Sequence, residues 1–442
     1  MKKAHLLNTI GITLLAVSFN APAEFEYTEQ EVLDTFTPYR DSVPTYPGYE
    51  PGTTVIDQGN ADQFKEILVP HHYDNIKAGW MIIRSGLTTS FDLHPNYVKA
   101  TMNAVKSPPT LNADGLVENF VAGRAFPKEP DLNDPRAGLK MAWNYQYGYN
   151  WGDNGTIGPF WWSFKNMDTG KIERVIKFDF HFLNWMHRVN QDPTPEFPNN
   201  PSKLFRSIYA RVLEPFDIKD TQLLIHRYKN DLKRDDAWLY LGFQRRVRRL
   251  ATGQTTDSFL GTDIMIEDFE GYNGRVSDYN WEYAGVSNMM TPFYNHNEQD
   301  LEADIPPGTD GYRFIKYEGE GGCFPKVTYQ LRKTYTLIGT PKDPNHPLME
   351  RRMYIDAQTY TMPALSFLDR KGEPWKQQII CQAHSDHHLP INKGVGVSID
   401  DCAHLVDVQA RHCTSLQFKG ILDAKDNPPQ MFTVQNLRKS GQ

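Results

Sequence analysis

The 442 residues carry 47 Lys and Arg against 54 Asp and Glu, a net charge of −7, with 39% hydrophobic, 23% charged and 12% aromatic residues. That balance excludes a disordered or membrane-embedded chain, and its sign excludes nucleic acid as a partner, which a basic surface would attract. At the N-terminus, Lys2 and Lys3 precede a mostly apolar run from Leu6 to Ser18 and an Ala21-Pro22-Ala23 site. This is the pattern of a secretory signal peptide over residues 1–23. The apolar run is too short for a bilayer core that needs about 20 such residues. Residue 24 is Glu rather than Cys, so no lipoprotein anchor is expected. The reading is a soluble periplasmic protein of the cell envelope.

Residues 24–140 form a loop- and helix-rich extension. His71 and His72 follow Pro70 in a loop-like stretch and are expected on the surface. A helix is predicted from Pro95, with Tyr97, Val98, Met102 and Val105 on one side, ending before Pro108 and Pro109. A second covers Leu139 to Tyr147. From Phe160 the period changes to that of strands, over 160–166 and 171–183, around an Asp168-Thr169-Gly170 turn. A loop carrying Pro193, Pro195, Pro198 and Pro201 follows, then strands over 205–213, 222–228, 237–241 and 245–250. Antiparallel meander is the natural reading. Phe178, Phe180 and Phe182 share one face while Leu183 and Trp185 fall on the other, so both faces need apolar cover.

Four positions of charge invite two readings each. Arg245, Arg246, Arg248 and Arg249 suit lipid headgroups or a partner, or they guard an edge strand against pairing. Asp257, Asp263, Glu267 and Asp268 are expected to neutralise them. Glu267 and Asp268, being adjacent, are expected to point apart. Cys323, Cys381, Cys402 and Cys413 predict two disulfides in an oxidising compartment, with the pairing left open. The competing reading is a metal site, since Cys381, His384, His387 and His388 are followed by Cys402, His404, His412 and Cys413. Their spacing fits no standard zinc motif, so no metal and no cofactor is expected. Among enzyme motifs, G-x-S-x-G, H-E-x-x-H and the Walker loop are absent, and Gly319, Gly321 and Gly322 lack the Lys-Ser/Thr of a phosphate loop.

Glu214-Pro-Phe-Asp-Ile-Lys-Asp-Thr221, Asp235-Asp-Ala-Trp-Leu-Tyr-Leu241, Arg245-Arg-Val-Arg-Arg249, Asp257-Ser-Phe-Leu-Gly-Thr-Asp263 and Glu267-Asp-Phe269 resemble the outer-membrane lipoprotein-sorting class of LolA and LolB. With Asn119-Phe-Val-Ala-Gly-Arg-Ala-Phe-Pro127, Trp143-Asn-Tyr145, Tyr354-Ile-Asp356 and Asp369-Arg-Lys-Gly-Glu-Pro-Trp375, the chain is similar to the family called domain of unknown function 1329. The resemblance implies an α+β, β-dominated fold: a LolA-like half-closed antiparallel β-barrel over 141–442 with covering helices. It also implies an apolar cavity for acyl chains. Phe160, Trp161, Trp162, Phe164, Phe178, Phe180, Phe182 and Tyr209 are the expected wall, of which alternation lets about half face inward. The expected function is a non-enzymatic periplasmic carrier of a lipid or other hydrophobic molecule. The alternatives are an adaptor docking on an outer-membrane barrel or inner-membrane transporter, and a metal-dependent hydrolase.

Overall fold

The computed structural model describes residues 28–250 and 254–440; the expected leader lies outside the described residues. Two consecutive meanders make one sheet. The first runs β1 (Asn154–Asn166), β2 (Ile172–Asn184), β3 (Leu204–Glu214), β4 (Gln222–Tyr228), β5 (Asp236–Leu241) and β6 (Arg246–Arg249). The second runs β7 (Tyr279–Thr291), β8 (Thr328–Pro341), β9 (Leu348–Asp356), β10 (Ala364–Asp369), β11 (Pro374–His384), β12 (Ser398–Asp407) and β13 (His412–Ile421). Each strand pairs antiparallel with its neighbour, and β13 pairs with β1, joining the halves into a 16-stranded sheet that stays open. The fold is therefore α+β, β-dominated, with one large antiparallel sheet. Short strands Val55–Ile56 and Ile83–Ser85 extend the sheet beside β8, and Phe293–Tyr294 pairs with β11.

Local chemistry sets the turns. Between β10 and β11, Asp369 Oδ1 accepts from the Lys371 and Glu373 amides, and Gly372 takes a φ of +78° that a side chain would resist. The helices are α1 (Glu29–Phe36), α2 (Pro70–Lys77), α3 (Pro95–Val105), α4 (Ala137–Gln146) and α5 (Val434–Ser440). The α1 start is a capping box, with Thr28 and Glu31 satisfying each other's amides. Helix α4 lies on edge strand β7 at Gly138, where a Cβ would stand 2.6 Å from the Trp281 carbonyl oxygen. None of the helices among the described residues is long and apolar enough to cross a membrane.

Both faces of the sheet are covered, which accounts for strands that are apolar on both sides. Residues 254–278, a run of short turns, cross one face. The other is covered by α2, by the segment around Tyr312 to Phe324, and by the C-terminal stretch ending in α5. Residues of the N-terminal extension, such as Phe36, Phe64 and Ile76, share one continuous core with Phe178, Leu365 and Val406.

The surface expected for His71 and His72 is corrected: Pro70 starts α2 rather than a loop, and both imidazoles are buried in its first turn. They pack on Tyr354 and Tyr329. Burial pushes His71 down to about 3, so it stays neutral. One disulfide, Cys323–Cys413, ties the covering segment to β13. Cys381 and Cys402 stand directly opposite each other on β11 and β12 as free, buried thiols, so one of the two expected bridges is present.

Candidate functional site

The site is built on the face crossed by residues 254–278. Strand alternation puts Phe160 and Trp162 of β1 beside Phe178, Phe180 and Phe182 of β2, all buried. Trp162 meets Phe178 at 4.9 Å between ring centroids, and Phe160 meets Phe180 edge-on at 5.8 Å. Onto this wall the crossing segment sets two rings of its own. Phe259 lies 5.7 Å from Trp162 and stacks on Phe178, while Phe269 touches Trp162, Phe180 and Phe259 at 5.5 to 5.9 Å. Large rings at such offsets bury most of their surface and contribute strongly to packing.

A cavity of about 40 Å³ remains between wall and segment, lined by Phe160, Trp162, Phe180, Phe269, Gln378 and Asp400 among others. That is well below the roughly 300–1,000 Å³ of a small-molecule pocket. Two of its lining residues carry buried polar atoms with no protein partner, Trp162 Nε1 and Gln378 Oε1. Burial and the nearby Glu270 carboxylate push Asp400 up to about 6, although Gln382, Trp151 and Asn150 donate to it. Larger grooves, of about 540 Å³ beside α4 and about 510 Å³ along α3, lie open on the N-terminal extension.

The other expected wall residues fall elsewhere. Trp161 alternates to the opposite face, against Phe314 and beneath Lys177 Nζ. Tyr209 also faces away: it donates to Gln222 Oε1 and packs with Leu224, Phe432 and Leu437 under the C-terminal stretch. Phe164 is half-buried against His412 at the strand end.

The crossing segment is anchored by charge. Arg351 of β9, wholly buried, holds Glu267 Oε1 at 2.7 Å and Asp268 Oδ1 at 3.0 Å. Tyr279 donates to Glu267 at 2.8 Å, and His346 lies 3.1 Å away. Burial would raise both carboxyls. Hydrogen bonding from His346 and the charge of Arg351 hold Glu267 below its ordinary range, whereas Asp268 is left above it. Arg206 clamps Glu270 with two bonds of 2.9 and 3.0 Å.

Two expectations are corrected here. Glu267 and Asp268 sit in a tight 3₁₀ turn, so they converge on Arg351 instead of pointing apart. Nor do they neutralise Arg245 to Arg249: Asp263 is half-buried beside Thr414 and Lys376, and it is Asp236 that pairs with Arg249.

A separate buried cluster joins His296, His388 and Asp401, whose donor atoms lie within 4.8 Å of one another, with Tyr312. It resembles a metal-ligand set, but its hydrogen bonds assign another role. Asn392 is fixed by the Leu422 amide and the Gly420 carbonyl, so its NH₂ faces His388 Nδ1. His388 then carries its proton on Nε2, toward Asp401, and that nitrogen has no lone pair for a cation. Asp401 instead accepts from His296 at 2.9 Å and from Tyr312 at 3.1 Å. The competing ligand set of Cys381, His384, His387 and His388 is not brought together among the described residues. His404 Nδ1 donates to the Cys323 carbonyl, and His384 Nε2 to the Asp92 carbonyl.

Residues 55–438 match the model of a family described as a protein of unknown function, DUF1329. An uncharacterized protein of Pseudomonas aeruginosa is 24% identical over 363 residues, covering 78% of this chain and 71% of its own. Among solved structures, a DUF1329 family protein from Desulfovibrio piger is 16% identical with a TM-score of 0.47, over 69% of this chain and all of its own. A Vibrio parahaemolyticus domain described under outer membrane lipoprotein sorting gives 16% and 0.46 over the same shares. A LolA superfamily protein from Nitrosomonas europaea gives 11% and 0.36, over 64% of this chain and 91% of its own.

Proposed function

The chain belongs to the DUF1329 family, and on that premise we propose that it works in the periplasm as a carrier of a lipid or other hydrophobic molecule, with no chemical step. The observation that carries this reading is the aromatic wall under residues 254–278. Phe259 and Phe269 occupy that wall as a ligand's apolar body would, through contacts that are non-directional and therefore exchangeable. The segment that brings them has no strand pairing on this face. Moving it aside would expose Phe160, Trp162, Phe178 and Phe180, and each methylene of a cargo buried there would contribute about 0.8 kcal/mol. Trp162 Nε1 and Gln378 Oε1 offer a donor and an acceptor for the polar end of such a cargo.

Organic extraction of the natively purified protein followed by mass spectrometry tests the reading, with bovine albumin as the control for carry-over. A stoichiometric apolar molecule is expected, its amount reduced in Trp162→Phe, which keeps an aromatic ring but removes the indole N–H. Background levels in both, with no uptake of added palmitate or phospholipid, would overturn it.

A further inference from the structure

The far rim of the first meander carries a feature that the cargo reading does not use. The β3–β4 turn, residues 215–221, and the β5–β6 turn, residues 242–245, lie side by side. A Cβ on Gly242 would stand 2.6 Å from the Lys219 carbonyl oxygen. Each turn presents a phenylalanine to solvent: Phe216 is 92% exposed and Phe243 72%. Single exposed apolar residues need no explanation, but two rings at neighbouring loop tips, with Leu213 also exposed beside them, make a patch that water disfavours.

The charges around it are unevenly matched. Every carboxylate of the β3–β4 turn and its flank has a cation among the described residues: Glu214 with Lys177, Asp217 with Arg174, and Asp220 with Arg211. Among the described residues, Lys219, Arg245 and Arg246 have no carboxylate partner, and Arg248 bonds only the neutral Gln244. Edge protection explains arginines along β6. It does not explain exposed rings at the tips beyond them.

We infer that this rim docks on a bilayer surface bearing anionic phospholipid headgroups, with Phe216 and Phe243 entering the interfacial layer and Lys219, Arg245, Arg246 and Arg248 meeting lipid phosphates. The chemistry fits one occupant. Aromatic rings partition to the headgroup boundary, and a cluster of unpaired cations beside them is drawn to a negative leaflet. Arg174 of β2 links the rim to the crossing segment. Arg174 lies 3.5 Å from Asp217 of the docking turn and donates to the Leu260 carbonyl at 3.2 Å. Leu260 itself is held at a φ of +53°, a left-handed backbone that leucine resists. The docking surface therefore stands at the point where the cover over the aromatic wall begins, although docking does not depend on what the wall holds.

Co-flotation with vesicles tests this, using protein from cells expressing the full chain, with one N-terminus verified by mass for all variants. Phosphatidylcholine vesicles with and without phosphatidylglycerol are the probe. Wild type is expected to float with the anionic vesicles and to be released by salt. Phe216→Ser with Phe243→Ser, and Arg245→Glu with Arg246→Glu, should each lower the bound fraction by about tenfold or more. All four positions are exposed, so unchanged circular dichroism is expected, and Leu132→Ser, at a distant exposed leucine, serves as the neutral control. No flotation of wild type, or equal flotation of all variants, would overturn the inference. So would a wild-type dimer that the phenylalanine variant converts to monomer without any vesicle binding, which would make a second copy the occupant. Loss of flotation in the variants with extracted cargo unchanged separates this surface from the carrier reading.

Discussion

The crossing segment, residues 254–278, rests on rings against β1 and β2: Phe259 and Phe269 on Trp162, Phe178 and Phe180. It is held by charge against β3 and β9, where Arg206 meets Glu270 and Arg351 meets Glu267 and Asp268. Ring contacts tolerate exchange of one apolar partner for another. A buried ion pair does not, because removing one member strands the other in a medium of low polarity. On the proposed carrier reading, the charged contacts hold the segment in place and the ring contacts are where a cargo would enter.

The largest effect should come from breaking the charged contacts. Arg351→Met leaves Glu267 and Asp268 without their cation and is expected to cost about 3–5 kcal/mol in urea unfolding. If the protein instead unfolds at the wild-type midpoint, the segment is not anchored there.

Truncation on the two sides of the ring contact should then differ. Phe178→Ala, in the wall, should lose about 3–5 kcal/mol as a core cavity does. Phe269→Ala, in the segment, should cost less, because a cover can settle into the space, and it should raise uptake of palmitate. Equal losses with unchanged uptake would mean that wall and segment form one rigid core.

Asp400, beside the ring contact, gives a smaller effect with a defined sign. Its carboxyl titrates higher folded than unfolded, at about 6, so ionising it works against the native state. Its favourable contribution is complete below about 4 and is lost as pH rises through about 6. Asp400→Asn should therefore be more stable than wild type at pH 8, by roughly 2–3 kcal/mol as an upper figure, and the gap should close by pH 4. A gap that stays constant across thermal melts from pH 4 to 8 would contradict this.

The smallest effect concerns Cys381 and Cys402, opposite each other on β11 and β12. Both thiols are buried and so should resist alkylation in the native protein; burial, and the adjacent Cys381, also raise the Cys402 thiol well above its ordinary range. Alkylation followed by intact mass should show two reactive thiols only after denaturation. Rapid native labelling would show that this part of the sheet opens.

Much of the sheet was legible because aromatic and aliphatic residues alternate with period two. Strand 222–228 fell where that pattern put it, and the helix from Pro95 stopped before Pro108 as its cap and proline signals required. Arg246, Arg248 and Arg249 lie on an edge strand, with Arg245 in the turn before it. What could not be read was tertiary. Residues 257–269 offered acidic positions without a period, and only the fold brings Arg351, some 80 residues on, to meet them. The burial of His71 and His72 was equally hidden, since Pro70 opens a loop or a helix with the same residue. Of the eight expected wall residues, Trp161 and Tyr209 face away, because neither composition nor spacing says which face of a two-sided strand turns inward. Phe259 and Phe269, which the site needs, were passed over because their segment is neither helix nor strand.

The most direct test is hydrogen exchange with and without palmitate. The account predicts that palmitate binding changes exchange at amides of the crossing segment, such as Phe259, Asp268 and Asn273, while amides paired between β1 and β2 stay protected. Binding that leaves residues 254–278 unchanged, or no binding at all, would contradict the claim that this segment covers the site.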